Sequence, residues 1–131
     1  MPSVLIVDDN TSVLQSLELF FQYEGYTVHL AADGATGLRL AAEKGPDIVM
    51  LDVEMPQMSG VAVCKALKEN PALSRLPVVM MTGRPLRGLV EQSRAAGADE
   101  VLGKPFELAS LRKLFSDLIA SRSALPVVPK I

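Results

Sequence analysis

Short apolar runs alternate along the chain with segments whose apolar positions recur every three or four residues, and the alternation repeats five times. Ser3-Val7 is an apolar run that stops at Asp8-Asp9-Asn10, where Asn10 or Thr11 can cap a helix reaching to about Glu24. Val13, Leu14, Leu17, Phe20 and Phe21 form the buried stripe of that helix, and Gly25 ends it. Tyr26-Ala31 is a more polar strand, carrying Thr27 and His29, as suits a sheet edge. Asp33-Gly34 opens a small-residue helix through Glu43 that stops at Gly45. Asp47-Leu51 follows with no polar alternation, the pattern of a strand buried on both faces, and a lone carboxylate, Asp52, ends it.

Ser59 caps a third helix from Gly60 to about Glu69, with Val61, Cys64, Leu67 and Lys68 at helical spacing. Pro77-Met81 is a fourth strand ending in Thr82-Gly83. Leu86-Ala96 predicts a weak helix, preceded by Pro85 and interrupted by Gly88, which costs about 1 kcal/mol relative to alanine. Asp99-Leu102 is a short fifth strand closed by Gly103-Lys104-Pro105. Glu107 to about Ala120 is an amphipathic final helix, with Leu108, Leu111, Leu114, Phe115, Leu118 and Ile119 on one face. Ser121-Ile131, with Pro126 and Pro129 around Val127-Val128, reads as a tail or linker.

Five strand-helix units of this length predict an α/β fold, a doubly wound parallel sheet with right-handed crossovers. In the strand order 2-1-3-4-5, strands one, three, four and five are neighbours. Their ends carry Asp8-Asp9, Asp52, Thr82 and Lys104, whereas the far-edge second strand ends in Ala31-Ala32 with nothing comparable. Open α/β sheets place ligands at the carboxyl ends of their strands, so this distribution predicts one shared site.

Composition narrows the choice of partner. The 131 residues fit one domain, and 49% hydrophobic with 21% charged residues is a globular balance, not a disordered one. A net charge of −2 gives no basic footprint for nucleic acid or an anionic membrane. Neither a helix-turn-helix nor a zinc-finger signature occurs, so direct DNA binding is not expected. The single cysteine, Cys64, excludes an internal disulfide and points to a reducing compartment. Without a signal-peptide pattern at Met1-Pro2-Ser3 or an apolar run near the ~18 residues of a membrane span, the expected location is the cytoplasm.

Three carboxylates meeting at strand ends repel one another and need a cation. Oxygen ligands with room for water and phosphate favour Mg²⁺ over zinc, which prefers nitrogen and sulfur. Lys104 supplies a point charge for a phosphoryl oxygen, and the Thr82 hydroxyl a hydrogen bond. Asp52 is then a nucleophile able to form an acyl phosphate. Simpler roles compete for some residues. Asp8-Asp9-Asn10 could serve only as helix caps, although one residue suffices for that. Asp33-Gly34 reads as turn chemistry, His29 as an exposed edge-strand residue and Cys64 as packing on the third helix. Met50, Met80 and Met81 belong to core strands, while Met55 and Met58 are expected to line the mouth of the site.

The set Asp8-Asp9, Asp52, Thr82 and Lys104-Pro105, with Gly97-Ala98-Asp99 before the last strand, closely resembles receiver domains of two-component response regulators. The resemblance covers about residues 3–120, and implies a receiver domain over 1–120 with a tail or linker at 121–131. It implies a flavodoxin-like fold, with Asp52 accepting a phosphoryl group from a histidine kinase or phosphotransfer protein. Asp9, Asp52 and the Glu54 carbonyl would bind Mg²⁺ directly and Asp8 through water, with Thr82 and Lys104 as catalytic groups. The Lys104-Pro105 bond would be cis. Such a domain catalyses its own phosphorylation and dephosphorylation without being a turnover enzyme. It signals to an output domain or partner through the face formed by the fourth helix, fifth strand and fifth helix.

The chain departs from the family in two places. The position three before the lysine, commonly aromatic and mobile on activation, is Val101. Output is therefore expected to depend on the loop Gly83-Arg87 and the weak fourth helix. Glu54 and Arg84, each two residues beyond a site residue, are expected to pair across the mouth. The alternative function is a degenerate receiver acting as a phosphorylation-independent interaction module. A haloacid-dehalogenase-like phosphatase would want an Asp where Glu54 stands, and a flavodoxin-like carrier would want a Gly/Ser/Thr-rich loop after the first strand.

Overall fold

Within each strand, neighbouring side chains point to opposite faces, and in this chain both faces are apolar. A computed structural model describes residues 1–83 and 88–124, with side chains through Ser121. Five parallel strands, β1 (Ser3–Val7), β2 (Thr27–Ala31), β3 (Ile48–Asp52), β4 (Val78–Thr82) and β5 (Glu100–Gly103), form one sheet in the order β2-β1-β3-β4-β5. Val4, Ile6, Ile48, Met50, Val79 and Met81 face one side. They pack there on Leu14, Leu17 and Phe21 of α1 (Thr11–Tyr23) and on Leu111 and Phe115 of α5 (Leu108–Ala124). Leu5, Val7, Val49, Leu51, Val78, Met80 and Val101 face the other side. Their partners include Ala41 of α2 (Gly34–Lys44), Val63, Cys64 and Leu67 of α3 (Gly60–Glu69), and Leu89 and Val90 of α4 (Leu89–Ala95). This is the predicted doubly wound architecture, and every crossover is long enough to return the chain in parallel.

The helix boundaries follow the predicted caps. Asn10, Asp33 and Ser59 cap α1, α2 and α3 through side-chain oxygens, and Gly45 closes α2 in the left-handed region. Three expectations change. The described part of the fourth helix starts at Leu89, after Gly88; its predicted start at Leu86 lies outside the described residues. The fifth helix continues to Ala124, four residues past its predicted end, because nothing from Ser121 to Ala124 breaks a helix. His29 is half-buried rather than exposed, since α1 and α2 pack on the two faces of β2 and cover even this edge strand. Cys64 is a packing residue: it is fully buried, its Sγ lies 3.6 Å from the Ala96 carbonyl, and burial pushes its thiol up to about 11.

Two polar ties hold helices and strand starts in place. Arg112 of α5 donates two 2.8 Å hydrogen bonds to the Glu24 carboxylate at the end of α1, beside the stacked rings of Phe21 and Phe115. The Lys68 ammonium, on α3, donates to the Leu76 carbonyl at 2.7 Å and reaches Asp99 Oδ2 at 3.4 Å. The same Asp99 oxygen accepts the Val78 N–H at 2.8 Å, so Lys68 joins α3 to the starts of β4 and β5. Lys68→Met is expected to destabilise the domain by about 1 kcal/mol, because it leaves the carbonyl of the buried Leu76 without its donor, while the exposed Asp99 keeps the Val78 N–H and gains water. Urea unfolding of the two proteins measures this directly.

Candidate phosphoryl and metal site

At the carboxyl rim of the sheet, each strand end delivers a different polar group. Asp8 follows β1, and its N–H donates to the Ala31 carbonyl of β2 at 3.0 Å, which carries the β1–β2 ladder one residue past the strand and holds the Asp8 backbone at the rim. Asn10 does the helix capping, accepting the Ser12 and Val13 N–H groups at 2.9 and 3.2 Å. That leaves Asp8 and Asp9 for other work. Asp8 is fully buried and Asp9 is exposed. Asp52, the last residue of β3, is 4% exposed. One oxygen each from Asp8, Asp9 and Asp52 lies within 4.8 Å of the others, the one acidic cluster of this kind among the described residues.

Lys104 reaches into this cluster from the turn after β5. Its Nζ lies 3.2 Å from Asp8 Oδ2 and 3.4 Å from Asp52 Oδ1. The backbone places it there: Lys104 N–H donates to the Thr82 carbonyl at 2.7 Å, and the Lys104-Pro105 peptide is cis, as the resemblance implied. One lysine does not neutralise two buried carboxylates. Burial, and then the repulsion of Asp8, raise the Asp52 carboxyl to about 6 despite the opposing pull of Lys104 and the Glu54 N–H. Burial alone would lower the Lys104 ammonium, but the charges of Asp52 and Asp8 outweigh it and raise it.

Thr82, at the end of β4, is fully buried, and its hydroxyl donates to Glu54 Oε2 at 2.6 Å. Glu54 Oε1 accepts the Gly83 N–H at 3.1 Å. The expected partner of Glu54, Arg84, lies outside the described residues, as does most of the Gly83-Arg87 loop. What the structure shows is that Glu54 grips the end of β4, a contact no sequence pattern announced. Val101 is buried among the β4-side core residues, in register with Met80.

The two loop methionines separate. Met55 helps line an open cavity of about 620 Å³ beside the site, together with Val53, Glu54, Pro56, Leu89 and Gln92. Met58 packs instead beneath α2, where a Cβ on Gly34 would come within 3.1 Å of its Sδ. Gly60 was expected only as the start of α3, yet it has a second role. A Cβ there would stand 2.2 Å from the Asp52 carbonyl oxygen, so α3 can begin against the Asp52 backbone only with glycine.

Known proteins are similar to this chain in sequence and share its fold. The family model described as "Response regulator receiver domain" matches residues 4–116. "Response regulator PleD" of Caulobacter vibrioides is 41% identical over 104 residues, covering 79% of this chain and 23% of that protein. "Transcriptional regulatory protein PrrA" of Mycobacterium leprae is 40% identical over 123 residues, 94% of this chain and 52% of that protein. The chain thus spans between about a quarter and half of the length of these relatives. Among solved structures, the chemotaxis protein CheY4 of Vibrio cholerae superposes with a TM-score of 0.85 at 33% identity, over 90% of this chain and 98% of that one. The receiver domain of a sensor histidine kinase from Pseudomonas aeruginosa, described with a magnesium ion coordinated in the active site cleft, gives 0.84 at 28% identity, over 91% and 98%. With its sheet order, its rim of polar groups and a family match across most of its length, the chain belongs to the response regulator receiver domains.

Proposed function

We propose that this receiver domain accepts a phosphoryl group on Asp52 and relays the change to a partner. The observation that carries the reading is a nearly buried carboxylate at the sheet rim, touched by Lys104 and crowded by Asp8 and Asp9. An Asp52 oxygen would attack the phosphorus of a phosphohistidine on a histidine kinase or phosphotransfer protein. The new O–P bond makes an acyl phosphate, while the P–N bond breaks and its electron pair leaves with the imidazole. The reaction depends on positioning and charge neutralisation more than on proton transfer. Lys104 sits where it can pair with a phosphoryl oxygen, and Thr82 can offer its hydroxyl to another.

The donor set fits Mg²⁺. Three carboxylates converge with no nitrogen or sulfur ligand among them, a choice that suits a hard cation. Asp9, Asp52 and the Glu54 carbonyl would hold the ion and Asp8 would hold its water. The magnesium ion described in the active site cleft of the Pseudomonas aeruginosa receiver domain supports the choice of metal. Bound there, the ion would offset the charge of the incoming phosphoryl group. The domain would then act on itself, promoting both its phosphorylation and its dephosphorylation, with no turnover of a separate substrate.

The output reading is that the α4–β5–α5 face meets an output domain or partner protein, in the cytoplasm and without direct contact to nucleic acid. No described helix is long and apolar enough to cross a membrane. Incubation with acetyl phosphate and Mg²⁺, followed by intact mass measurement, tests the phosphoacceptor role. A single phosphoryl adduct that disappears in Asp52→Asn is expected. An absent adduct, or one retained in Asp52→Asn, contradicts the reading, and an absent adduct favours a phosphorylation-independent interaction module.

A further inference from the structure

Glu54 holds the two hydrogen-bond donors at the end of β4. Its carboxylate accepts the Thr82 hydroxyl at 2.6 Å through one oxygen and the Gly83 N–H at 3.1 Å through the other. A hydroxyl has one proton and a backbone amide has one, so neither can be given in full to two acceptors at once. Thr82 lies one step beyond Met81, the residue in register with Asp52, so these donors border the space a phosphoryl group on Asp52 would fill. We propose that Glu54 is a positioning residue that competes with the phosphoryl group: its carboxylate occupies the Thr82 and Gly83 donors in the resting protein and must withdraw before a phosphoryl oxygen can take them. This rests on the phosphoacceptor reading of Asp52.

The structure provides a place for the carboxylate to go. The cavity of about 620 Å³ beside Glu54 is open to solvent, and its walls, though largely apolar, include the side chains of Ser59 and Gln92, so a displaced carboxylate stays at the surface and does not enter the core. Its other wall is Leu89, the first residue of α4. Withdrawal of Glu54 therefore changes the filling of the groove under the helix that the output reading invokes. This gives the site a link to α4 that needs no aromatic side chain at Val101.

Two measurements test the competition. Hydrogen exchange at the Gly83 amide reports the contact in the unphosphorylated protein: it should be protected in the wild type and exchange faster in Glu54→Ala. The initial rate of adduct formation from acetyl phosphate and Mg²⁺ reports its consequence. Glu54→Ala should raise that rate roughly tenfold, the size of one charge-assisted hydrogen bond, with Glu54→Gln between the two. Removing a negative charge would also speed entry of an anionic donor, so the Thr82→Val background separates the causes. Competition for the hydroxyl predicts a smaller factor there; simple repulsion predicts the same factor, which would overturn the proposal. An adduct on Asp52 with an unchanged rate in Glu54→Ala overturns the competition alone. A wild type that takes no adduct overturns the function and the competition together, whatever the Gly83 exchange shows.

Discussion

Gly60→Ala is expected to destabilise the domain by about 2–3 kcal/mol and to weaken Mg²⁺ binding, although the residue carries no functional group. An added Cβ would lie 2.2 Å from the Asp52 carbonyl oxygen and 2.9 Å from both its carbonyl carbon and the Val53 Cα. All three are backbone atoms, so no side chain can rotate to make room. The Gly60 N–H also donates to the Val53 carbonyl at 2.9 Å, tying the start of α3 to the chain just past Asp52. Relief of the clash must move α3 away or shift the backbone that aims the Asp52 carboxylate. Helix propensity pulls the other way, favouring alanine over glycine by about 1 kcal/mol. The sign of the change in urea midpoint therefore decides between the two effects. A Gly60→Ala protein as stable as the wild type, with unchanged Mg²⁺ affinity, would show that the close approach is not needed.

The second large effect is a gain in stability on removing the central functional group. The Asp52 carboxyl rises from its ordinary value of 3.8 to about 6, chiefly through burial and then through Asp8. The folded protein thus holds this proton more tightly than the unfolded chain does. As pH rises from about 4 to about 6 the unfolded chain gives up the proton first, so stability falls across that window and the full cost persists above it. At 1.36 kcal/mol per unit, the cost is about 2–3 kcal/mol. Asp52→Asn should therefore be more stable than the wild type by about 2 kcal/mol at pH 7.5 in metal-free buffer, and nearly equal to it at pH 4. Adding Mg²⁺ should stabilise the wild type and leave Asp52→Asn almost unmoved, because only the intact cluster binds the ion well. Urea unfolding at both pH values, with chelator and with Mg²⁺, measures all four conditions. A less stable Asp52→Asn at pH 7.5 without metal would mean that Lys104 already compensates the buried charge.

The sheet was legible because its strands are buried on both faces. Runs such as Ile48–Leu51 carry no polar residue, and the order β2-β1-β3-β4-β5, a common one for doubly wound sheets, agrees with one more polar edge strand and four neighbours with reactive ends. The convergence of Asp8, Asp9, Asp52 and Lys104 was legible from the topology: each lies at or within two residues of the carboxyl end of a strand, and parallel strands deliver those ends to one rim. Asn10 could be separated from its acidic neighbours because a helix needs only one cap. Contacts set by rotamers and by the distance between elements were not legible. Glu54 was expected to face Arg84, and no pattern in sequence shows that its carboxylate spans the Thr82 hydroxyl and the Gly83 amide. Gly60 looked like a helix start, and its role appears only when α3 is seen against the Asp52 backbone. Met58 was expected at the mouth and packs under α2, because the loop after Asp52 turns back at Gln57, which has a positive φ of 71°.

The most direct test is to locate the phosphoryl group chemically. Borohydride reduction converts an aspartyl phosphate to homoserine, and peptide mass analysis after treatment with acetyl phosphate and Mg²⁺ identifies the converted residue. Conversion at Asp52 alone, absent when Mg²⁺ is chelated, is the predicted result. Conversion at Asp8, Asp9 or Glu54, or none at any carboxylate, would contradict the assignment of Asp52 as the phosphoacceptor.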